Sequence, residues 1–349
     1  MPQARPATGL AGHPFATLVL FAASAAALAA TSEAVGFEHK DWSLQCDNTR
    51  ACRATGYQDE NVDAQPVSML VSREAGPGTP VEIKLTVYTE GAAPAALRLA
   101  VGRKVIGGLK GDPASVPAKD VPEVLRQLLN ADTATVQAGK QRWTLSLAGV
   151  KAVLLKMDET QGRIGTPGAL VRPGDRPESS VPQALPAPVI SAAKPVAKRP
   201  GDDALGRRIF ASFPKSERET ISDQCNGGDV PAANVEIFRL DDKTLLISVP
   251  CGMGAYNFSS LLWMANDRVP YQPRAVQANG DFDPATGNVH SAMKGRGLGD
   301  CWSTEDWQWD GHDFVLAGRA DSGQCRGFPG GAWSLPSYAT TTRPAAPSK

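Results

Sequence analysis

The chain has 349 residues, 42% of them hydrophobic, and a formal net charge of zero. That length suffices for two domains, and the lack of a basic excess argues against a nucleic-acid partner. Its 34 glycines and 28 prolines call for many turns and extended segments.

Near the N-terminus, Arg5 precedes an apolar, alanine-rich run, "FATLVLFAASAAALAA", at residues 15–30. The run contains Ala27-Leu28-Ala29, which fits the small-residue rule for signal cleavage near residue 30. It is short for a stable membrane span, and no later stretch reaches about 18 consecutive apolar residues. Residues 1–30 are therefore expected to be a cleaved signal peptide and the mature chain to be periplasmic.

Residues 36–171 read as an α+β domain. In "VEIKLTVYT", Val81, Ile83, Leu85 and Val87 alternate with polar residues, and "RWTLSLAG" repeats the pattern with Trp143, Leu145 and Leu147. Period two marks half-buried strands. "DVPEVLRQLLN" spaces Val121, Val124, Leu125 and Leu128 as a helix, with Asp120 and Glu123 placed like a capping box. "GVKAVLLKMDETQ" forms a second helix on Val150, Val153, Leu154 and Met157. The expected architecture is an antiparallel sheet with two helices.

Residues 172–204 carry seven prolines and little periodicity, as an extended linker would. Residues 205–339 hold strand signals such as "NVEIFRL", "KTLLISVPC", "YNFSSLLWMA" and "HDFVLAGR", with turns at Asn279-Gly280, Thr286-Gly287 and Asp310-Gly311. A mostly antiparallel meander is expected there, with a short helix near residues 216–222. The last ten residues, 340–349, read as a disordered tail.

All six cysteines follow the signal segment: Cys46, Cys52, Cys225, Cys251, Cys301 and Cys325. An even number in an exported chain implies disulfides, and 15 connectivities are open. Proximity favours Cys46–Cys52, Cys225–Cys251 and Cys301–Cys325. With no C-x-x-C pair and only His39, His290 and His312 in the mature chain, a structural zinc site is not expected. No cofactor motif is present either.

The stretch "KGRGLGDCWSTEDWQWDGHDF" concentrates glycine, tryptophan and charge. Gly295, Gly297 and Gly299 are not in nucleotide-loop register, because Asp300 stands where the last glycine would fall. Trp307 and Trp309 share one strand face. A bulge, a disulfide anchor and a hairpin account for the pattern. The functional alternative is a charged cleft of Lys294, Arg296 and Asp300 beside Trp307, fit for a polar or sugar-like ligand. A second polar surface is offered by "KMDETQGRIGT", with Asp158 and Arg163. No activated nucleophile is visible, and "NGDFDPATGN", with Asp281 and Asp283, reads as a turn rather than a calcium loop. No catalytic residue is assigned.

Together, "FEHKDWSLQCDNTRACRATGY", "LLKMDETQGRIGTPGALVRPG", "VPCGMGAYNFS", "KGRGLGDC", "WQWDGHDFVL" and "CRGFPGGAW" resemble the bacterial domain-of-unknown-function family 1176 over nearly the whole mature chain. Trp302 departs from the small residue expected after "GDC". The resemblance implies an exported protein of Gram-negative bacteria and transfers no catalytic residue. The first domain alone also resembles the invasion-associated locus B family through "DWSLQC" and the "SLAG" helix entry, which implies a non-enzymatic envelope role. The combined reading is a periplasmic binding or envelope-interaction module with an unknown envelope partner or polar ligand. The alternative is a hydrolase of envelope polysaccharide, with Asp300 and Glu305 as its carboxylates.

Overall fold

A computed structural model describes residues 33–61, 64–225, 230–253 and 256–345. The expected signal peptide lies outside the described residues. The described residues form one compact unit. It is mostly β, with several antiparallel sheets and, among the described residues, four α-helices.

The first half is built on two sheets. In the larger, neighbouring strands run antiparallel in the order Val35–His39, Trp42–Cys46, Cys52–Tyr57, Val67–Arg73, Val81–Val87 and Ala114–Ser115. The smaller sheet comprises Gln141–Ser146, Thr133–Ala138, Leu97–Val101 and Lys104–Leu109. The alternating residues read from the sequence face inward: Ile83, Leu85, Trp143 and Leu145 are buried in one core with Trp42, Met69 and Val136. Helix Val150–Thr160 adds its stripe of Val150, Val153, Leu154 and Met157 to that core. Helix Val121–Leu128 lies where expected, but its capping box does not form. Asp120 already has helical backbone angles, which turns its carboxylate away from the first amides, and it pairs with Lys104 Nζ at 2.6 Å. Glu123 instead reaches forward to Arg126 and Gln127.

The second half carries two further antiparallel sheets. One orders Glu236–Arg239, Thr244–Met253, Asn257–Asn266 and Arg274–Asn279. The other orders Asp281–Asp283, Asn288–Lys294, Trp302–Trp309, Phe314–Asp321 and Leu335–Ala339. Helix Lys215–Gln224 occupies the place expected for a short helix. Helix Asp202–Ala211, which the proline-rich neighbourhood hid, packs Ile209 and Phe210 beside Ile237 and Ile247. Asp202 is also paired with the buried guanidinium of Arg239 at 2.7 Å.

Residues 172–201 are largely extended, as their prolines dictate, apart from a single turn at Glu178–Ser180, yet they are seated on the protein, and the last residues expected in the linker, 202–204, already begin a helix. Glu178 accepts hydrogen bonds from the amides of Gly78 and Gly168, Val181 is buried, and the Ala193 amide donates to the Trp309 carbonyl. Part of the segment the composition assigns to a disordered tail is likewise ordered. Thr341–Pro344 pairs in parallel with Val189–Ala192, because each short strand supplies the backbone partners the other lacks.

The three disulfides join Cys46 to Cys52, Cys225 to Cys251 and Cys301 to Cys325. No helix of the described residues is long and apolar enough to cross a membrane.

Candidate functional site

The glycine-rich loop between strands Asn288–Lys294 and Trp302–Trp309 is organised around Asp300. This carboxylate is only 1% exposed. It accepts from Arg296 Nε at 2.7 Å, from the Arg296 Nη2 group, and from the Gly327 amide at 2.7 Å. These donors, the guanidinium first among them, hold Asp300 below the usual carboxylate range. Arg296 also reaches the Cys325 carbonyl, and the Gly330 amide donates to the Gly299 carbonyl. The loop is thus wired to residues 322–331, the stretch containing "CRGFPGG", by an ion pair, backbone bonds and the Cys301–Cys325 disulfide.

That second loop enters the first half of the protein. Arg326, nearly buried, donates to the Gln58 carbonyl and pairs with Asp41 at 3.1 Å, while Gln58 Nε2 donates back to the Arg326 carbonyl. Phe328 meets the Tyr57 ring edge-on, and Trp333 Nε1 donates to Ser68 Oγ. The two glycine-rich motifs therefore form a clasp that binds the halves together.

Tyr57 lies at the centre of this contact. Its hydroxyl is buried beside Thr55, Ser68 and the Gln324 backbone, none of which gives it a hydrogen bond of good geometry. Burial pushes its pKa up to about 12. Between pH 10 and 12 the folded state therefore holds a proton that the unfolded state has released. The corresponding stability, about 2–3 kcal/mol, is complete below pH 10 and is lost as pH rises through 12. In Tyr57→Phe, urea titrations across that range should show a shallower alkaline loss. At neutral pH the variant should be as stable as the parent or slightly more so, since the unpaired hydroxyl is gone.

The other sequence-derived candidates do not converge on one cavity. Trp307 is 7% exposed and sits with Trp309 and Phe314 in a core cluster. Lys294 places its ammonium 5.4 Å from the centroid of the Trp302 ring. Asp158 and Arg163 are both 0% exposed, so they present no surface. Arg163 instead fixes the surrounding turns, donating to Gln161 Oε1, Glu178 Oε1, Thr79 Oγ1 and the Gly76 carbonyl. Asp158 accepts the amides of Leu170 and Val171, and burial pushes its carboxyl up. Asp283 closes its turn by accepting from the Ala285 amide and the Thr286 hydroxyl.

Asp300 and the sulfurs of Cys301 and Cys325 lie within 4.8 Å of one another. The sulfurs are bonded to each other and the carboxylate is filled by Arg296 and Gly327, so this trio offers no thiolate ligands. Glu305 is similarly committed, to Arg319 Nε at 2.7 Å and to Trp307 Nε1 at 3.2 Å.

A cleft of about 570 Å³ opens beside the clasp. One wall comes from the hairpin of Val35–His39 and Trp42–Cys46, with Phe37, Glu38 and Gln45. The other comes from the second half, with Trp302, Asp321 and Gln324, and the Cys301–Cys325 bridge forms part of the lining. Gln324 Nε2 donates to Glu38 Oε1 at 2.6 Å, across the two halves. Asp321 accepts no hydrogen bond from the side chains or amides of the described residues, and desolvation pushes its pKa up. Sequence reasoning missed this cleft, because its walls lie nearly 300 residues apart along the chain. The signal available was Trp302, where the family resemblance leads one to expect a small side chain.

Fold and site define a β-rich, disulfide-braced protein with a ligand-sized cleft between clasped halves. The chain belongs to the family described as "Protein of unknown function (DUF1176)", which matches residues 36–340. It is 28% identical over 332 residues to the uncharacterised protein YpfG of Escherichia coli (strain K12), covering 84% of this chain and 90% of that protein. No solved structure matches it.

Proposed function

We propose that this protein is an exported, periplasmic binding module whose ligand occupies the cleft between the two halves. The observation that carries the reading is the cleft itself: a cavity of about 570 Å³ lined by side chains of both halves, among them Glu38, Gln45, Ser303, Gln324 and the exposed carboxylate of Asp321. Export is supported by the residue 15–30 pattern and by three disulfides, which persist in oxidising compartments. The hydrolase alternative gains nothing from the geometry. Asp300 is held as an anion by Arg296, and Glu305 is tied to Arg319, so neither is poised to deliver a proton.

The test uses protein recovered from the periplasm. Its mass should show a start near residue 30. Ligand-observed NMR with envelope extracts should reveal saturable binding that is abolished in Ser303→Trp, which fills the cleft. Binding retained by that variant would place the ligand elsewhere. Turnover of cell-wall fragments that is lost in Asp300→Asn would establish the hydrolase instead.

A further inference from the structure

The outer face of the smaller sheet in the first half carries an unbalanced row of cations. Register fixes the row: Arg142 of Gln141–Ser146 and Arg98 of Leu97–Val101 both stand opposite Gln137 of the strand between them. Their chain neighbours Trp143, Leu99 and Val136 are buried, so alternation turns Arg142, Arg98 and Gln137 outward, and both arginines are exposed. The same end of the sheet adds Lys140, in the turn joining Thr133–Ala138 to Gln141–Ser146, and Lys110, one residue past the Leu109 that pairs with Leu97. Both lysines are exposed.

Among the described residues, no carboxylate pairs with any of these four cations. Arg142 is held by a neutral group. With its amide oxygen turned toward the guanidinium, Gln137 accepts from Arg142 Nε at 3.0 Å and from Nη2 at 2.8 Å. Those bonds fix the guanidinium and leave its charge uncompensated. Other cations of this region are matched: Lys104 by Asp120 at 2.6 Å, and Arg126 by Glu123 at 2.6 Å. Asp112, the acid nearest Lys110 in the chain, accepts instead from Thr86 Oγ1 at 3.0 Å. Glu90, in the loop leading to Leu97–Val101, forms no ion pair with the row. The next row of the face, Thr144, Thr135, Ala100 and Val105, is uncharged.

The face is open as well as charged. Arg98 stands opposite an irregularity in Lys104–Leu109, and a Cβ at Gly107 or Gly108 would meet nothing within 4 Å. A sheet surface whose arginines lie two strand spacings apart, ~10 Å, does not enclose a single anion. It matches a plane of anions, and arginine suits phosphate because its planar fork donates two parallel hydrogen bonds. We propose that this face docks the protein on a membrane surface bearing anionic phospholipid headgroups. None of the four cations lines the cleft, so the docking face goes beyond the ligand reading and stands or falls separately from it.

Co-sedimentation of the mature chain with phosphatidylcholine vesicles, prepared with and without phosphatidylglycerol, tests the proposal. Partition onto the anionic vesicles alone is expected, weakening as salt is raised. Each cation removed should lower partition about fivefold, so Arg98→Gln/Arg142→Gln should lose more than about tenfold. Arg98→Lys/Arg142→Lys, which keeps the charge, should bind like the parent. Arg207→Gln/Arg208→Gln removes as much charge from the exposed end of helix Asp202–Ala211 and should leave partition unchanged. Thermal unfolding shows whether each variant is folded. Equal losses in the two glutamine variants would overturn the assignment to this face. So would no partition at low salt, or capture of soluble polyphosphate by a chain that ignores the vesicles.

Discussion

Replacing Gly323 with alanine should destabilise the protein by about 2–4 kcal/mol, the range of overpacking combined with backbone strain. Gly323 has φ of +89°, where a side chain is strained, and a Cβ there would lie 2.0 Å from the Tyr57 hydroxyl oxygen. Tyr57 cannot withdraw, because it is fully buried beneath Phe328 and the surrounding sheet. The loop would have to lift, weakening the Arg326 and Trp333 contacts that follow it. A double variant makes the cause specific. Tyr57→Phe removes the clashing oxygen and leaves the nearest ring carbon at 3.2 Å, so it should recover part of the loss. Urea midpoints for the four proteins measure the coupling. Strict additivity would show that the two residues do not meet in solution.

The second large effect concerns Cys301 and Cys325. Their bridge spans 24 residues, a loop for which chain entropy gives roughly 3.5 kcal/mol. Changing both to alanine should lower stability by about that amount. The loss should also be local, because the bridge ties the two loops of the clasp and lines the cleft. Limited proteolysis should find the first new cuts within residues 295–301 or 322–331. The corresponding change at Cys46 and Cys52 should cost less, since that loop spans only 6 residues and its ends are already neighbours in a hairpin.

Most strands were legible because burial on one face imposes an alternation that survives in the sequence. Val81–Val87 and Gln141–Ser146 are examples, and the stripe of helix Val150–Thr160 is the helical equivalent. Helix Asp202–Ala211 was obscured for a physical reason. Gly206 interrupts its propensity, yet it is needed there because a Cβ would come within 2.4 Å of Ile237. Asp158 and Arg163 looked like a recognition surface since charge is usually solvated, but nothing in sequence spacing shows that partners such as Glu178, Thr79 and the Gly76 carbonyl enclose them. The glycine and tryptophan pattern correctly suggested a turn and a packed strand face. Its wider role depends on contacts between residues such as Arg326 and Gln58, 268 positions apart, which no local pattern encodes.

The same separation explains why the candidate binding residues first grouped around Arg296 and Trp307 do not form one site. Neighbours in sequence were divided between a loop and a core, whereas Glu38 and Gln324 were brought together. The clasp is the element that makes this possible, by fixing the distance between the walls contributed by each half.

Hydrogen–deuterium exchange across residues 322–331 tests that role most directly. The amides of Ser322, Gly327, Gly330 and Gly331 each have a defined acceptor: the Trp302 carbonyl, the Asp300 carboxylate, the Gly299 carbonyl and the Phe328 carbonyl. In the native protein they should exchange slowly despite the glycine-rich sequence, and in Asp300→Ala protection should fall across the loop and at Val67, whose amide is held by Gln58. Fast exchange throughout this loop in the unaltered protein would contradict the clasp and, with it, a cleft of fixed width.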